Sequence, residues 1–219
     1  MQDGILLIDK PANMTSFGVV ARIRRVLSQQ QGKKVKVGHT GTLDPFATGL
    51  MIIVVGKECK NAGMYSKLDK VYEATIHLGQ TSTTGDPEGE ITDVSDKIPD
   101  ILEIEKVLKK FVGEISQRPP IYSAIKINGQ RAYKLARDGK AVEIPERKVT
   151  IFSLDLVNYS YPYLKIRTNV SSGTYVRSLA EDIGLELGTG AYCSELRRIS
   201  IADWRIDKAV SLASMGILD

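Results

Sequence analysis

A twelve-residue loop, Gly38 to Gly49, constrains the fold of this chain more than any other segment. Its three glycines and one proline restrict the backbone to particular turn conformations. An uninterrupted apolar run from Leu50 to Val55 follows directly and is typical of a buried strand. The one carboxylate of the loop, Asp44, is therefore presented from a shaped edge beside the core. Such an aspartate either accepts backbone N–H bonds, as in an Asx-turn, or is available for chemistry.

The rest of the chain predicts a mixture of strands and helices. Apolar runs or alternation predict strands at residues 5–8, 50–55, 71–78, 121–127, 149–156, 163–170 and 194–201. Helical spacing and caps predict helices that begin after Thr15 or Ser16 and at residues 101–112, 132–138, 173–187 and 208–215. Because strands and helices are mixed without a regular βαβ alternation, we expect the α+β class.

Basic residues are concentrated in two segments, although the net charge is only +4. The segment from Lys10 to Leu43 has seven Lys and Arg residues and no Asp or Glu. The segment from Arg118 to Lys148 is also rich in Lys and Arg and has three acidic residues. Such segregation suits a polyanionic partner, because phosphate contacts release condensed counterions. Solvated helix and loop faces would have the same pattern.

Composition bounds the remaining possibilities. No apolar run approaches the roughly 20 residues that cross a bilayer, and the N-terminus is unlike a signal peptide. Cys59 and Cys193 are far apart and lack the spacing of a zinc site or a disulfide framework. We therefore expect a cytoplasmic protein that does not bind a membrane or a metal.

Three further side chains are candidates for function. Tyr72 lies on an alternating strand, where a core tyrosine is about as plausible as a functional one. Arg177 falls in the first turn of a helix, where the helix dipole disfavours a cation, so we expect a carboxylate partner. His39 could stack on a base or simply cap the loop.

Six blocks of this sequence, in order, resemble the TruB family of tRNA pseudouridine synthases. The blocks extend from residue 4 to residue 198 and are Gly4–Pro11, Gly38–Gly49, Lys70–Ala74, Tyr122–Lys126, Gly173–Arg177 and Leu196–Arg198. The second block is similar, almost residue for residue, to the family's signature around its catalytic aspartate.

The resemblance implies the pseudouridine synthase fold, with a mixed, mostly antiparallel sheet, flanking helices and a central active-site cleft. It implies an isomerase that converts the T-loop uridine of tRNA, position 55, to pseudouridine without a cofactor. The expected partner is the T arm of tRNA, and we expect a monomer. Two alternatives remain: a guide-dependent subunit that modifies ribosomal RNA, and a tRNA-binding or tRNA-folding protein without catalysis.

The resemblance also assigns roles to residues. Asp44 would act at the ribose, as a nucleophile on C1′ or as a base on C2′, and Arg177 would keep it ionised. Tyr72 would stack on the uracil and take the C5 proton. The other expected substrate-binding residues are His39, Tyr175, Leu196, Lys10 and Lys126.

The expected organisation is a single catalytic domain over residues 1–219. Residues 118–148 resemble the family's mobile insertion that closes over the RNA. Only 21 residues follow Arg198, fewer than a small C-terminal RNA-binding domain of the PUA type needs, so none is expected.

Overall fold

The computed structural model describes residues 3–123, 126–127, 130–131 and 144–217. The helices of these residues are α1 (Ser16–Gln31), α2 (Ala62–Ser66), α3 (Ile101–Lys110) and α4 (Val176–Leu187). The strands are β1 (Gly4–Lys10), β2 (Val37–His39), β3 (Thr48–Val55), β4 (Lys70–Leu78), β5 (Gln80–Ser82), β6 (Ile91–Asp93), β7 (Gly113–Gln117), β8 (Lys126–Ile127), β9 (Gln130–Arg131), β10 (Arg147–Ser160), β11 (Tyr163–Val170), β12 (Ala191–Ile201), β13 (Trp204–Arg205) and β14 (Val210–Ser211). The predicted α+β class is confirmed.

The chain forms two compact units. Unit 1 contains residues 1–72 and 197–219, and unit 2 contains residues 73–196. The chain passes from one unit to the other within β4 and again within β12.

Unit 1 is built around β3, whose apolar residues are almost fully buried. Strand β1 is antiparallel to β3, from Gly4 opposite Val55 to Lys10 opposite Gly49. Strand β2 is antiparallel to β3, while residues 197–198 of β12 run parallel to its first residues. A core cluster of β3 side chains and Ile201 excludes water from this sheet.

The sequence explains where helix α1 begins and where it ends. The side chain of Thr15 accepts a hydrogen bond from the amide of Gly18 at 2.9 Å, which caps the N-terminus. Gly32 ends the helix in the left-handed conformation, at φ 63°. The buried face of the helix contains Val19, Val20, Ile23 and Leu27, which recur at helical spacing.

Unit 2 contains a sheet in which the order is β12, β4, β11, β10 and β7. Strands β10 and β11 form an antiparallel hairpin, with irregularities between Ile151 and Ser153 and between Leu156 and Asn158. Strand β7 is antiparallel to β10, and β8 pairs with β9. In β4 the alternation predicted by the sequence is observed, because Tyr72, Ala74, Ile76 and Leu78 are all buried.

Four sequence predictions differ from the structure. Of the strand predicted at residues 121–127, the described residues form a strand only at Lys126–Ile127. The helix predicted at residues 208–215 is wrong, because Val210 and Ser211 form β14, parallel to Ile8 and Asp9 of β1. Helix α3 ends at Lys110, two residues earlier than predicted, before Gly113 adopts φ 112°. Helix α4 starts at Val176 rather than at Gly173. The helix predicted at residues 132–138 lies outside the described residues.

The described residues have no membrane-spanning helix and no cluster of metal ligands. None of their helices is long and apolar enough to span a membrane. They also contain no group of three or more His, Cys, Asp or Glu side chains placed to hold a metal ion. Cys59 and Cys193 are not joined by a disulfide.

Candidate active site

The Asp44 loop is fixed by hydrogen bonds to both neighbours of Asp44. The buried hydroxyl of Ser16 donates to the carbonyl of Leu43 and accepts from its amide, each at 2.8 Å. The ammonium of Lys10 donates to the carbonyl of Pro45 at 3.1 Å. The carbonyl of Asp44 accepts from the amide of Ala47 at 3.2 Å, which closes a turn. Asp44 itself is half-buried, so a backbone that is held on both sides presents a residue that is partly exposed.

Lys10 is completely buried, which is expensive for a cation unless its donors are satisfied. Besides Pro45, its ammonium donates to the carbonyls of Pro11 at 2.7 Å and Met14 at 2.6 Å. Lys10 therefore ties the end of β1 to the start of α1 and to the Asp44 loop. These contacts support a role in holding the loop, and contact with the substrate stays a prediction.

Arg198 also holds the Asp44 loop in place through hydrogen bonds to backbone carbonyls. Its Nε donates to the carbonyl of Leu50 at 2.6 Å, and its Nη2 donates to the carbonyl of Gly41 at 3.1 Å. The backbone of Arg198 also packs on Gly49, which adopts φ 104°. A Cβ atom at Gly49 would lie 2.3 Å from the Arg198 carbonyl oxygen, so only glycine fits.

The other predicted residues of unit 1 lie at the ends of strands. His39 is the last residue of β2, half-buried and opposite Ile53 of β3. Tyr72 is 8% exposed. It lies in β4 at the point where the chain passes from unit 1 to unit 2. Two residues earlier, Lys70 donates to the carbonyls of Ser66 and Leu68. Burial, with a smaller effect of Arg198, lowers the pKa of Lys70 to about 8.

Arg177 in unit 2 is buried and has the carboxylate partner that its helical position predicted. Its Nη1 donates to Oδ2 of Asp86 at 2.7 Å and to the carbonyl of Thr84 at 2.8 Å. Its Nη2 donates to the carbonyl of Tyr122 at 2.9 Å. The side chains of Arg177 and Asp86 are each 3% exposed. The predicted partnership of Arg177 with Asp44 stays a prediction.

Asp86 was missed by the sequence reasoning, although a dense turn holds it. Its Oδ1 accepts from the hydroxyl of Thr84 at 2.6 Å and from the amide of Glu88 at 3.0 Å. Its own carbonyl accepts from the hydroxyl of Ser82 at 2.5 Å. The only sequence signal was the run of Ser, Thr, Gly and Asp from residue 81 to 86, followed by Pro87, which predicts a turn but does not identify a partner for Asp86.

A second carboxyl group, that of Glu181, lies one helical turn after Arg177. It packs on Gly85, where an added Cβ atom would be 3.0 Å from Oε1. Burial raises the pKa of Glu181 to about 7, and the nearby charges of Asp182 and Asp86 act in the same direction while Arg177 opposes them. Near neutral pH this carboxyl group therefore holds a proton for much of the time.

Tyr175 caps the N-terminus of α4, and its backbone is fixed by one side chain. The amide group of Gln117 donates to the carbonyl of Tyr175 at 3.0 Å and accepts from its N–H at 2.8 Å. Gln117, 1% exposed, was also missed by the sequence reasoning. Leu196, 7% exposed, is the last residue of unit 2 in β12. The backbone of Lys126 lies in β8, but its side chain lies outside the described residues.

A strongly basic pocket of about 480 Å³ lies within unit 1. Its lining contains one acidic residue, Asp3, and five lysines: Lys33, Lys34, Lys36, Lys57 and Lys60. Lys33, Lys34 and Lys36 belong to the basic segment from Lys10 to Leu43. Lys57 and Lys60 lie later in the sequence, and the fold brings them to the same pocket. An excess of positive charge in one concave surface attracts a polyanion.

Comparisons with known proteins agree with this arrangement. Residues 24–176 match the family model described as "TruB family pseudouridylate synthase (N terminal domain)". Residues 177–216 match the model of the "tRNA pseudouridylate synthase B C-terminal domain". The chain belongs to the TruB family of pseudouridylate synthases.

Curated relatives match almost the whole chain. A protein of Dechloromonas aromatica (strain RCB) named tRNA pseudouridine synthase B is 45% identical over 219 residues, covering 99% of this chain and 71% of its own. A protein of Clostridium kluyveri with the same name is 43% identical over 210 residues, covering 96% of this chain and 71% of its own.

Two solved structures share the fold. A chain in a Cbf5-Nop10-Gar1 complex superposes with a TM-score of 0.73 at 31% identity, over 97% of this chain and 53% of its own. A chain in an H/ACA RNP bound to a substrate RNA containing 2′-deoxyuridine gives a TM-score of 0.70 at 29% identity, over 97% and 52%. The present chain thus spans about half the length of those chains.

Proposed function

We propose that this protein is a tRNA pseudouridine synthase that isomerises the T-loop uridine, position 55, to pseudouridine. The observation that supports this proposal most strongly is the geometry of the Asp44 loop. The residues on both sides of Asp44 are held by hydrogen bonds from Ser16 and Lys10. The name shared by relatives that are 43–45% identical over nearly the whole chain supports tRNA as the substrate.

The reaction is an isomerisation that balances without a second reactant. The N1–C1′ bond of uridine breaks, the uracil turns, and a C5–C1′ bond forms. C5 loses a proton and N1 gains one, so no electrons are exchanged with an external acceptor. The protein has to supply a group that acts at the ribose, a proton acceptor near C5 and a pocket for the flipped base.

Asp44 is proposed as the group that acts at the ribose. A carboxylate can attack C1′ as a nucleophile or remove the C2′ proton as a base, and both roles need the ionised form. A loop with fixed neighbours holds the carboxylate in one position, which lowers the entropic cost of the reactive geometry.

Tyr72 and Arg177 are proposed as its partners in the reaction. The ring of Tyr72 would stack on the uracil, and its hydroxyl would receive the C5 proton. The guanidinium of Arg177 would keep Asp44 ionised, since an opposite charge lowers the pKa of a carboxyl group. In its own unit Arg177 is oriented by Asp86, Thr84 and Tyr122.

RNA binding is proposed to involve both flipping and phosphate contacts. A T-loop uridine is stacked, so it must leave the stack to reach a carboxylate. Tyr175 and Leu196 would line the base pocket, and His39 and Lys126 would contact the rearranged loop. The five-lysine pocket of unit 1 would bind phosphates of the T arm. Residues 118–148 are proposed as the segment that closes over the RNA.

The two alternatives have weaker support. Relatives named tRNA pseudouridine synthase B are 43–45% identical to this chain, whereas the chain from the Cbf5-Nop10-Gar1 complex is 31% identical. This difference favours activity on tRNA over a guide-dependent role. The combination of Asp44, Tyr72 and Arg177 favours catalysis over binding alone, since binding needs no such set.

The test is a pseudouridine map of an unmodified tRNA transcript incubated with the isolated protein and no guide RNA. We expect pseudouridine at position 55 and none in a matched transcript with cytidine at that position. Modification that requires an added guide RNA would favour the guide-dependent alternative. Tight tRNA binding without any pseudouridine would favour the non-catalytic one. The mass of the isolated protein in solution tests whether it is a monomer, as we expect.

A further inference from the structure

Arg147, the first residue of β10, lies against the turn that carries Tyr175. Its guanidinium carbon is 4.9 Å from the centroid of the Tyr175 ring, which is a cation–π contact. Its Nη2 would be 3.3 Å from a Cβ atom added to Gly173. Gly173 is exposed and Arg147 is half-buried, so only part of the Arg147 side chain reaches the protein surface beside this turn.

Among the residues that the structure describes, no acid forms an ion pair with Arg147. Within the described residues its Nε and Nη2 are buried without a hydrogen-bond partner. The two residues beside it are different: Glu146 pairs with Arg118 at 3.2 Å, and Lys148 pairs with Glu114 at 2.6 Å. Donors that stay buried and unpaired cost free energy, which an arriving anion would recover.

The surroundings of Arg147 favour an anion as its partner. Helix α4 starts directly after Tyr175, and its first turn contains no acidic residue. The positive end of the helix dipole therefore adds to the guanidinium charge. Gln117 holds the Tyr175 backbone from the interior, so the ring and the guanidinium on it keep a fixed geometry.

We infer that Arg147 is a phosphate-binding residue for the RNA, taking a backbone phosphate beside the nucleotide that enters the Tyr175 pocket. The inference rests on the proposed function for the identity of the anion. A guanidinium presents two parallel donors to two phosphate oxygens, a geometry that an ammonium cannot reproduce. With its ring occupied by Arg147, Tyr175 would be positioned by the same contact that binds the phosphate.

Lys165 of β11 offers a matched control for the first experiment. Arg147→Met and Lys165→Met each remove one positive charge from unit 2, but Lys165 is 45% exposed and already paired with Glu73 at 3.7 Å. The affinity of each variant for a T-arm hairpin is measured over a range of salt concentrations. We expect Arg147→Met to weaken binding about tenfold or more. It should also reduce the slope of log affinity against log salt by about 0.7 to 0.9, the value of one phosphate.

Lys165→Met should keep the wild-type slope. Equal slopes and affinities for the two variants would overturn the inference. A lower melting temperature of Arg147→Met with an unchanged slope would mean that Arg147 only braces Tyr175, and would overturn it as well. If Arg147→Met does not fold, Arg147→Gln, which keeps a planar polar group over Tyr175, takes its place.

A second measurement finds the phosphate and uses the wild-type protein. Each phosphate next to the target uridine is replaced in turn by a neutral methylphosphonate. One replacement should weaken wild-type binding about tenfold and have no further effect in Arg147→Met or Arg147→Gln. If no replacement weakens wild-type binding, the inference fails. Failure of the proposed function is seen separately, as an absence of pseudouridine from a hairpin that binds.

Discussion

At the scale of single residues, Arg177 and Asp86 form a buried ion pair within unit 2. Both side chains are 3% exposed, so each charge depends on the other and on its hydrogen bonds. Breaking such a pair is costly because it leaves one charge buried and uncompensated. The pair therefore fixes the guanidinium of Arg177 in one orientation.

Asp86→Asn tests this pair against an exposed one. We expect the free energy of unfolding to fall by about 3 kcal/mol or more, because Arg177 stays buried without its carboxylate. Glu114→Gln, which removes the exposed partner of Lys148, should cost less than about 1 kcal/mol. Denaturant unfolding of both variants measures the difference. Equal losses would show that burial adds nothing to the value of the Arg177 pair.

Glu181 makes stability depend on pH. Its pKa is raised from an ordinary 4.5 to about 7, so the folded protein binds this proton more tightly than the unfolded chain. Stability from this group is therefore complete below about pH 4.5 and is lost as the pH rises to about 7. Relative to wild type, Glu181→Gln should not show this loss. Melting temperatures from pH 4.5 to pH 8 measure the difference, and parallel curves would contradict the assignment.

Sequence reasoning reached part of this site. The position of Arg177 in a first helical turn predicted a carboxylate partner, and the structure shows one. The identity of Asp86 could not be predicted, because 91 residues separate it from Arg177 and no local pattern joins them. The same limit applies to Gln117, whose partner Tyr175 is 58 residues away.

At the scale of elements, the conformation of the Asp44 loop depends on its last residue, Gly49, as well as on the hydrogen bonds from Ser16 and Lys10. Gly49 adopts φ 104°, which residues with a side chain rarely take, and lies against the backbone of Arg198. This close approach of the Gly49 and Arg198 backbones allows β3 to begin at the last two residues of the loop. The sequence signal for this geometry was the glycine itself, at the junction of the loop and an apolar strand.

Gly49→Ala should destabilise the protein more than a matched glycine substitution. Gly32 also has a positive φ, of 63°, but an added Cβ atom there meets nothing within 4 Å. Gly32→Ala should therefore cost only the conformational penalty, roughly 1–2 kcal/mol. Gly49→Ala adds a backbone clash at 2.3 Å and should cost clearly more and lower the turnover. Equal unfolding free energies for the two variants would contradict the close contact.

The elements that were predicted correctly are those with long periodic patterns. Helix α1 and strand β4 each have a single apolar face, whose spacing determines the element. Residues 208–215 gave a wrong prediction because their pattern is short and their structure comes from elsewhere. Val210 and Ser211 form β14 by pairing with the edge of β1, about 200 residues earlier in the chain.

At the scale of the whole molecule, basic residues that are distant in sequence form one surface. Lys33, Lys34 and Lys36 follow α1, whereas Lys57 and Lys60 follow β3, and all five line the same pocket. The sequence predicted the first group from its lack of acids. The second group could not be predicted, because only the pairing of β2 with β3 brings the two segments together.

A T-arm hairpin should serve as a substrate nearly as well as whole tRNA, if the proposed phosphate contacts all lie on that arm. We expect kcat/KM for the hairpin to be within about tenfold of the value for tRNA. Side-by-side kinetics on the two RNAs measure this ratio. A loss of a hundredfold on the hairpin, about 2.7 kcal/mol of transition-state stabilisation, would show that contacts outside the T arm are required.

The most direct test of the central claim is the turnover of Asp44→Asn beside that of Asp155→Asn. Both variants exchange a carboxylate for an amide of the same shape, but Asp155 lies on the exposed side of β10. Asp44→Asn should bind tRNA with wild-type affinity and form pseudouridine at least about a thousandfold more slowly, since an amide is neither nucleophilic nor basic. Asp155→Asn should keep the wild-type rate. Pseudouridine formed by Asp44→Asn at a rate close to that of Asp155→Asn would contradict the assignment of Asp44 as the catalytic carboxylate.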